Sequence, residues 1–347
     1  MNPAAESFEF KHRNYTLFEQ AYMALMDGLV AAARLTLKLG GRPLKNLLIM
    51  GFGRMAYRLL TKRRQIALTN LDLVYGDDLS EADKRKLALK AFQYFVRFAL
   101  DFLFDDLYWP LSELRERTTI RNLEALEAAL KKGRGFVVLS GHLGNVELGM
   151  AMINAFGYET YGIYKGFKNP WFDRFIGRKR LRCGYRLVEV PRKQHEVVAG
   201  VRRRLPRRSM RPELEKIWQS NHGIAVALDQ YGGQGGLKIP FLGVPDAPTT
   251  VGALGYAVEN KVPLTLHTCV YGDEENLIWN IEEPIFIEDQ PGGPAATLEH
   301  YARLVNDWFS EQIKRYPEQY AWPHRRFAHH YYERPRPVRP DPPKPVQ

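Results

Sequence analysis

Residues 136–147 read FVVLSGHLGNVE, a run that joins the end of a buried β-strand to the start of a helix. The apolar segment Phe136–Leu139 is typical of a strand that is covered on both faces. The residues from Leu143 to Phe156 predict the helix, and Gly141 and Gly144 let other groups approach the connecting turn closely. In α/β proteins, catalytic groups often lie where the carboxyl end of a strand meets the next helix. This stretch therefore predicts an α/β fold with a functional site in the turn.

The rest of the C-terminal part continues the same pattern. From about Thr119, short apolar runs alternate with helical stretches, as in an α/β domain. Further predicted strands are Thr160–Tyr164, Ile224–Leu228, Leu264–Val270 and Leu277–Ile281. Further predicted helices are Pro170–Leu181, Val251–Glu259 and Leu298–Ile313. We predict an α/β core over residues 119–332, with a mixed central sheet flanked by helices.

Residues 1–118 are predicted to form an N-terminal helical region that contacts a membrane. The first apolar stretch, Ala21–Leu39, is interrupted by Asp27, Arg34 and Lys38, which a helix gathers into one narrow polar stripe. The remaining surface is apolar, which suits a helix in the membrane interface or a helix packed on the protein, and both interpretations stay open. A spanning helix is less favoured, because charges near its centre are costly in lipid.

Composition and charge narrow the possible partners. The chain of 347 residues is 45% hydrophobic and 26% charged, as folded proteins are, and its net charge of +11 favours nucleic acid, anionic lipid or an acidic protein. The basic stretch Arg202–Arg211 contains no aromatic residues, which argues against nucleic-acid binding. Cys183 and Cys269 are isolated from each other and indicate a reducing compartment. The proline-rich residues 333–347 are expected to be disordered.

His142 and Glu147 are the candidate catalytic residues. A carboxylate that bonds one ring nitrogen of a histidine makes the other nitrogen a better base. Residues five apart point in different directions within a helix, so the pairing requires His142 to lie in the turn before the helix. The alternative is that His142 caps the helix while Glu147 faces water. Backbone amides near Gly141 are candidate donors to a tetrahedral oxyanion.

Five stretches, in the correct order along the chain, resemble the bacterial lipid A biosynthesis acyltransferases, the lauroyl and myristoyl transferase family. That family belongs to the glycerolipid acyltransferases marked by His, four residues, then Asp or Glu. The stretches are Arg63–Leu71, Gly141–Glu147, Tyr164–Arg180, Asp229–Thr250 and Tyr316–Phe327, so the resemblance runs from about Gly53 to Phe327.

The resemblance implies both a reaction and roles for residues. An acyl group moves from an acyl carrier protein thioester to a hydroxyl of a lipid A precursor, at the cytoplasmic face of the inner membrane. His142 takes the role of base and Glu147 that of its charge partner. Arg178 and Arg180 fall where the family's arginines are expected near anionic groups. Coenzyme A stays open as the alternative carrier of the acyl group.

Two further residues complete the candidate site. Asn145 and Asp229 are grouped with the arginines as candidate substrate-binding residues. Asp229 follows an apolar run and precedes a glycine-rich turn, so it could instead orient the loop, because Asp is a common turn former. No cofactor or metal is expected, since a thiolate leaves without one and no ligands lie at metal-site spacing.

Two rival functions remain. One is acyl transfer to another glycolipid, such as an inositol mannoside, or to a phospholipid. The other is a basic protein that binds membranes or nucleic acid and has no activity. The intact pair of His142 and Glu147 argues against the second rival. The stretch Arg202–Arg211 resembles an insertion relative to the family, so acceptor access and docking need not match those of its members. The proline-rich tail also has no counterpart in the family.

Overall fold

The computed structural model describes residues 16–190, 195–198, 201–204, 209–233, 235–272 and 276–333. The helices, numbered in chain order, are α1 Leu17–Leu59, α2 Thr61–Tyr75, α3 Glu81–Leu103, α4 Asp105–Tyr108, α5 Leu111–Leu114, α6 Glu124–Leu130, α7 Val146–Ala155, α8 Pro170–Arg182, α9 Arg211–Gln219, α10 Gly252–Glu259 and α11 Gly293–Arg315. The strands are β1 Thr118–Arg121, β2 Phe136–Ser140, β3 Thr160–Tyr164, β4 Arg186–Glu189, β5 His195–Val198, β6 Val201–Arg204, β7 Gly223–Ala227, β8 Leu237–Phe241, β9 Val244–Thr249, β10 Leu264–Tyr271 and β11 Leu277–Ile281.

Seven strands form a central sheet in the order β1-β11-β10-β2-β7-β3-β4. Neighbouring strands run parallel except β10 and β11, which are antiparallel, so the sheet is mixed as predicted. Two further pairs, β5 with β6 and β8 with β9, form antiparallel ribbons outside it. The predicted α/β fold class is confirmed.

The sheet separates two apolar cores, and strand β2 contributes to both. Phe136 and Val138 lie in the core that contains α6 and α7. Val137 and Leu139 lie in the opposite core, against residues of α9, α10 and α11. Alternate side chains of a strand point to opposite faces, so an unbroken apolar run is what a doubly covered strand requires. This burial fixes β2 in the middle of the sheet.

Helix α7 begins later than the sequence predicts. The residues from Leu143 to Asn145 belong to the turn, because Gly144 has a positive φ of 63° and Asn145 caps the helix. Asn145 Oδ1 accepts a hydrogen bond from the amide of Leu148 at 3.0 Å. His142 therefore lies in the turn, as the catalytic interpretation requires.

Helix α1 binds the protein through polar residues and through the buried Met23 and Leu37, while several of its leucines are exposed. Asp27 accepts hydrogen bonds from Trp171 Nε1 at 2.7 Å and Arg174 Nη2 at 3.1 Å. Arg34 Nη2 pairs with Asp106 Oδ2 at 2.5 Å. The exposed large apolar residues of its first half are Leu17, Phe18, Leu25, Leu29, Leu35 and Leu39. Among the helices that the structure describes, none is long and apolar enough to cross a bilayer.

Two predictions concern segments that are described only in part. The backbone of residues 202–204 forms strand β6, and residues 205–208 of the basic stretch lie outside the described residues. The proline-rich tail lies outside them from residue 334 onward.

Candidate active site

His142 lies just beyond the carboxyl end of β2, in a turn that only glycines allow. A Cβ atom on Gly141 would come within 2.3 Å of the ring of Phe309 and 2.8 Å of Asp229 Cγ. A Cβ atom on Gly144 would come within 2.1 Å of the carbonyl oxygen of Cys269. Real Cβ atoms do not approach other atoms this closely, so both positions require glycine. The chain is thereby held against β10 and α11, and the imidazole is directed to the edge of the sheet.

Asp229 supplies the carboxylate that contacts the imidazole. His142 Nδ1 lies 2.9 Å from Asp229 Oδ1, and the amide of His142 donates to Asp229 Oδ2 at 2.8 Å. The carboxylate thus bonds both the side chain and the backbone of the same residue. Asp229 is 2% exposed, whereas the side chain of His142 is 40% exposed. A buried carboxylate therefore holds a histidine that solvent and substrate can reach.

The sheet topology brings these two residues together. Strands β2 and β7 are parallel neighbours in which Ser140 pairs with Ala227. His142 and Asp229 each follow this pair by two residues. The carboxyl ends of parallel strands lie at one edge of a sheet, so equal offsets place the two side chains side by side.

The other ring nitrogen of His142 contacts Gln230. The amide nitrogen Nε2 of Gln230 lies 3.0 Å from His142 Nε2. With the Nδ1 proton directed to Asp229, Nε2 carries the lone pair that accepts from Gln230. Gln230 is exposed, so an incoming hydroxyl group can displace it. The imidazole is consequently held in the tautomer that presents a basic Nε2 outward.

The electrostatics of the pair favour an ionised Asp229 and a more basic His142. Burial alone lowers the pKa of His142, but the charge and hydrogen bond of Asp229 outweigh burial, so the pKa is raised above 6.5. Burial alone raises the pKa of Asp229, but the charge of His142 and the hydrogen bonds from it lower that pKa below 3.8. The buried guanidinium of Arg326 adds a smaller effect in the same direction on Asp229. Each group thus stabilises the charged form of the other.

Glu147 binds Arg180 rather than the imidazole. Arg180 Nη2 lies 2.6 Å from Glu147 Oε1, and its Nε lies 3.2 Å from Oε2. This two-point contact uses the Glu147 carboxylate. The imidazole of His142 donates to Asp229 instead of to Glu147, the partner that the spacing suggested. The charge of Glu147 still raises the pKa of His142, while the charge of Arg180 lowers it. Both residues therefore belong to the electrostatic surroundings of the histidine.

The remaining predicted residues occupy different positions. Asn145 is 0% exposed, and its amide group is used twice, by the cap to Leu148 and by a bond to Tyr271 Oη at 2.8 Å. Arg178 is exposed on α8, two positions before Arg180. Contact of either residue with substrate stays a prediction, and the geometry of Asn145 supports the turn instead.

Most amides of the turn are already hydrogen-bonded. The amide of Gly144 donates to the carbonyl of Gln319 at 3.0 Å, and that of Asn145 donates to the carbonyl of Cys269 at 2.6 Å. The amide of His142 is bound to Asp229. These three amides hold the turn in shape. Any of them could donate to a tetrahedral oxyanion only after breaking its present hydrogen bond.

Arg326 is a part of the site that the sequence did not single out. It is 1% exposed and donates from Nη1 to the carbonyl of Pro248 and from Nη2 to Thr249 Oγ1, each at 2.8 Å. Its only signal was its place in the stretch Tyr316–Phe327, which it joins to the stretch Asp229–Thr250 through these two hydrogen bonds. Within the described part of the chain, no three His, Cys, Asp or Glu side chains cluster to hold a metal.

Comparison with known proteins agrees with this geometry. The bacterial lipid A biosynthesis acyltransferase family matches residues 16–329. The lipid A biosynthesis lauroyltransferase of Escherichia coli is 25% identical over 283 residues, which are 80% of this chain and 83% of that protein. The palmitoleoyltransferase of the same organism is 25% identical over 277 residues, 79% and 82% of the two chains. A lipid A biosynthesis acyltransferase of Haemophilus influenzae is 25% identical over 282 residues, 80% and 82% of the two. The resemblance seen in the sequence is confirmed: this chain belongs to the bacterial lipid A biosynthesis acyltransferase family, whose members are O-acyltransferases.

Proposed function

We propose that the protein transfers a fatty acyl group from an acyl carrier protein thioester to a hydroxyl of a lipid A precursor, at the cytoplasmic face of the inner membrane. The observation that carries this proposal is the contact of 2.9 Å between His142 Nδ1 and Asp229 Oδ1, which leaves the lone pair of an accessible histidine on Nε2, where it can act as a base once Gln230 is displaced. Membership of the family supports the reaction class and the lipid A pathway.

The proposed reaction needs one base and no change of oxidation state. His142 Nε2 takes the proton of the acceptor hydroxyl as its oxygen forms a bond to the thioester carbonyl carbon. The tetrahedral intermediate collapses by breaking the carbon–sulfur bond, which leaves an ester and a thiolate. The imidazolium returns its proton to that thiolate. Asp229 holds the imidazole in place and stabilises its positive charge during the step.

Glu147 and Arg180 take supporting roles in this proposal. Their two-point ion pair lies on the helices α7 and α8 that follow β2 and β3, at the same edge of the sheet as His142. The pair fixes Arg180 while the charge of Glu147 supports protonation of His142. The exposed Arg178 extends the positive charge outward and suits contact with an anionic part of a substrate.

The proposed membrane contact uses the exposed leucines of α1. Polar side chains of this helix bind α8 and Asp106, so Leu25 and Leu29, 61% and 55% exposed, face away from those contacts. Met23 and Leu37 pack on the protein, while these two leucines remain exposed on the other side of the helix. Such a surface suits the interface of a bilayer, where the acceptor and product lipids reside.

Purified protein and whole cells together test the proposal. Lipids of cells with and without the gene should differ by one acyl chain on the lipid A precursor, measured by mass spectrometry. In vitro, the protein should transfer from an acyl carrier protein thioester, and His142→Ala should slow the reaction by about 10²- to 10⁴-fold with an unchanged fold. Transfer from acyl-coenzyme A at an equal or higher rate would overturn the donor assignment. An unchanged lipid A together with a changed phospholipid or other glycolipid would overturn the acceptor assignment.

A further inference from the structure

The side chain of Gln230 directs a hydrogen-bond donor at the basic nitrogen of His142. Its Nε2 lies 3.0 Å from His142 Nε2, and the residue is exposed. His142 Nδ1 carries its proton toward Asp229 Oδ1, so Nε2 has a lone pair and no proton. Gln230 can therefore contact Nε2 with its NH₂ group and not with its carbonyl oxygen. The tautomer of the histidine fixes which end of the amide faces the atom where the reaction begins.

The backbone on both sides of Gln230 is anchored. Asp229 accepts hydrogen bonds from His142, and the amide of Gly232 donates to the carbonyl of Pro248 at 2.9 Å. A Cβ atom on Gly232 would come within 2.7 Å of the backbone of β9, so the loop packs closely on that strand. A donor that is already held near the reacting atoms needs little reorganisation during the reaction, which is the condition for stabilising a transition state effectively.

Gln230 differs from the amides of the turn in what it must give up. The amides of His142, Gly144 and Asn145 donate to acceptors that hold the turn in shape. The present acceptor of Gln230 is His142 Nε2, which is the atom that a substrate hydroxyl must reach. Binding of that hydroxyl displaces the amide and leaves its donor without an acceptor just before negative charge develops on the thioester carbonyl oxygen.

We propose that the side-chain amide of Gln230 donates a hydrogen bond to the tetrahedral oxyanion, which makes it a catalytic residue of the reaction; this inference rests on the proposed function. The attacking oxygen takes the position next to His142 Nε2 that the amide now occupies. The oxyanion is bonded to the same carbon as the attacking oxygen, so it forms close to that position. A small rotation of the Gln230 side chain then brings its N–H within hydrogen-bond reach of the oxyanion, about 2.7–3.2 Å between heavy atoms.

Gln230 transfers no proton in this step. His142 Nε2 takes the proton of the hydroxyl as the new carbon–oxygen bond forms, and the π electrons of the carbonyl group move to its oxygen. The hydrogen bond from Gln230 stabilises that charge. When the electron pair returns, the carbon–sulfur bond breaks, and the thiolate receives the proton from His142.

The test uses substitutions that change the donor at position 230 and keep a side chain of similar length. Gln230→Met has no donor, and Gln230→Glu keeps the shape but presents a carboxylate that repels an oxyanion. Gln230→Asn keeps the amide on a side chain that is one carbon shorter. Gln219→Met is the control, because Gln219 is also exposed and lies on α9 just before β7, whereas Gln230 follows β7. The values of kcat and KM are measured for transfer from an acyl carrier protein thioester to the glycolipid, and melting temperatures report on folding.

Loss of the donor in Gln230→Met should lower kcat by about 10²- to 10³-fold, with little change in KM or in the melting temperature. Gln230→Glu should be at least as slow, and Gln230→Asn should lie between Gln230→Met and the wild-type protein. The control variant should keep the wild-type kcat. This split between kcat and KM is expected of an interaction that is made in the transition state.

A side chain that only covers the base would give the opposite result. Its removal would uncover His142 Nε2 and make it a stronger base, so kcat would stay the same or rise. A kcat of Gln230→Met equal to or above that of the wild-type protein would therefore overturn the inference, as would a loss seen only in KM or in the melting temperature. A wild-type protein that transfers no acyl group to a hydroxyl would instead overturn the proposed function, and this inference with it.

Discussion

His142 and Asp229 lie at matching positions beyond two neighbouring parallel strands and meet at 2.9 Å, with a second bond from the His142 amide to the same carboxylate. The double contact prevents the carboxylate from rotating without losing one of the two bonds. The fold therefore fixes the tautomer of the imidazole as well as its position. The glycine at 141 is part of this arrangement, since a Cβ atom there would come within 2.8 Å of Asp229.

The pH dependence of the reaction should show the effect of Asp229. A base acts only when deprotonated, so kcat/KM should rise with pH through the pKa of His142, which lies above 6.5. Asp229→Asn removes the charge that raises this pKa, so the rising limb of the pH profile of kcat/KM should move to lower pH. The plateau value of kcat/KM should fall on the order of a hundredfold. Measuring kcat/KM across pH for both proteins tests this, and a limb that stays in place would show that Asp229 does not act on the base.

Gln230 should move the same limb in the other direction. Its amide donates to Nε2 of neutral His142, and a hydrogen bond to the neutral form opposes protonation. Gln230→Ala should therefore raise the apparent pKa seen in kcat/KM and leave the melting temperature nearly unchanged, because the side chain is exposed. Gln230→Glu serves as the comparison, since it adds a charge that raises the pKa further. A fall in the apparent pKa of Gln230→Ala would contradict the assigned hydrogen bond.

The sequence predicted the strands whose burial requires a run of apolar residues. The strands Thr160–Tyr164 and Leu277–Ile281 have the predicted bounds, because each is a mainly apolar run whose pattern of apolar residues stops at both ends. The strands Thr118–Arg121 and Arg186–Glu189 were not predicted. They are short and carry polar residues, and β1 and β4 lie at the two edges of the sheet, where less burial is required.

The position of His142 in the turn was predicted, whereas the carboxylate that contacts it is Asp229 and not Glu147. The turn at Gly141 marked His142 through local sequence alone. The choice between Glu147 and Asp229 depends on which strand lies next to β2, and strand order is a property of the whole chain. Asp229 is 87 residues away in sequence, so no local spacing connects it to His142. The contact of Glu147 with Arg180 likewise depends on the packing of two helices, which local sequence does not show.

Both cysteines should be unreactive in the folded protein. Burial raises the pKa of Cys269 to about 12, and burial together with the charge of Asp105 raises that of Cys183 to about 12. Since thiolate is the reactive form, a disulfide reagent at mildly alkaline pH should modify neither residue until the protein is unfolded, when both should react. Rapid modification of the native protein would show that one of the thiols is accessible.

The ion pair of Glu147 and Arg180 should matter for activity as well as stability. Glu147→Gln leaves a largely buried guanidinium without its carboxylate, which should cost roughly 1.5–3 kcal/mol of unfolding free energy. The double variant Glu147→Gln/Arg180→Gln removes both charges and should regain much of that stability. We expect it to remain poorly active, because the site has lost its arginine. Stability is measured by chemical unfolding and activity by acyl transfer. If the double variant recovers both, the role of the ion pair is structural only.

The exposed leucines of α1 should dominate attachment to membranes. Leu25→Gln/Leu29→Gln removes apolar surface that is already in solvent, so the fold should persist while partitioning into vesicles falls tenfold or more, since burying one leucine contributes roughly 1.5–3 kcal/mol. Leu111→Gln/Phe286→Gln, which alters two exposed apolar residues outside α1, is the control. High salt screens the attraction of basic residues to anionic lipid but leaves apolar insertion in place, so the wild-type protein should be released only in part by salt and fully by detergent. Unchanged sedimentation of the α1 variant with vesicles would instead mean that these leucines cover another protein, and the membrane assignment of the helix would fail.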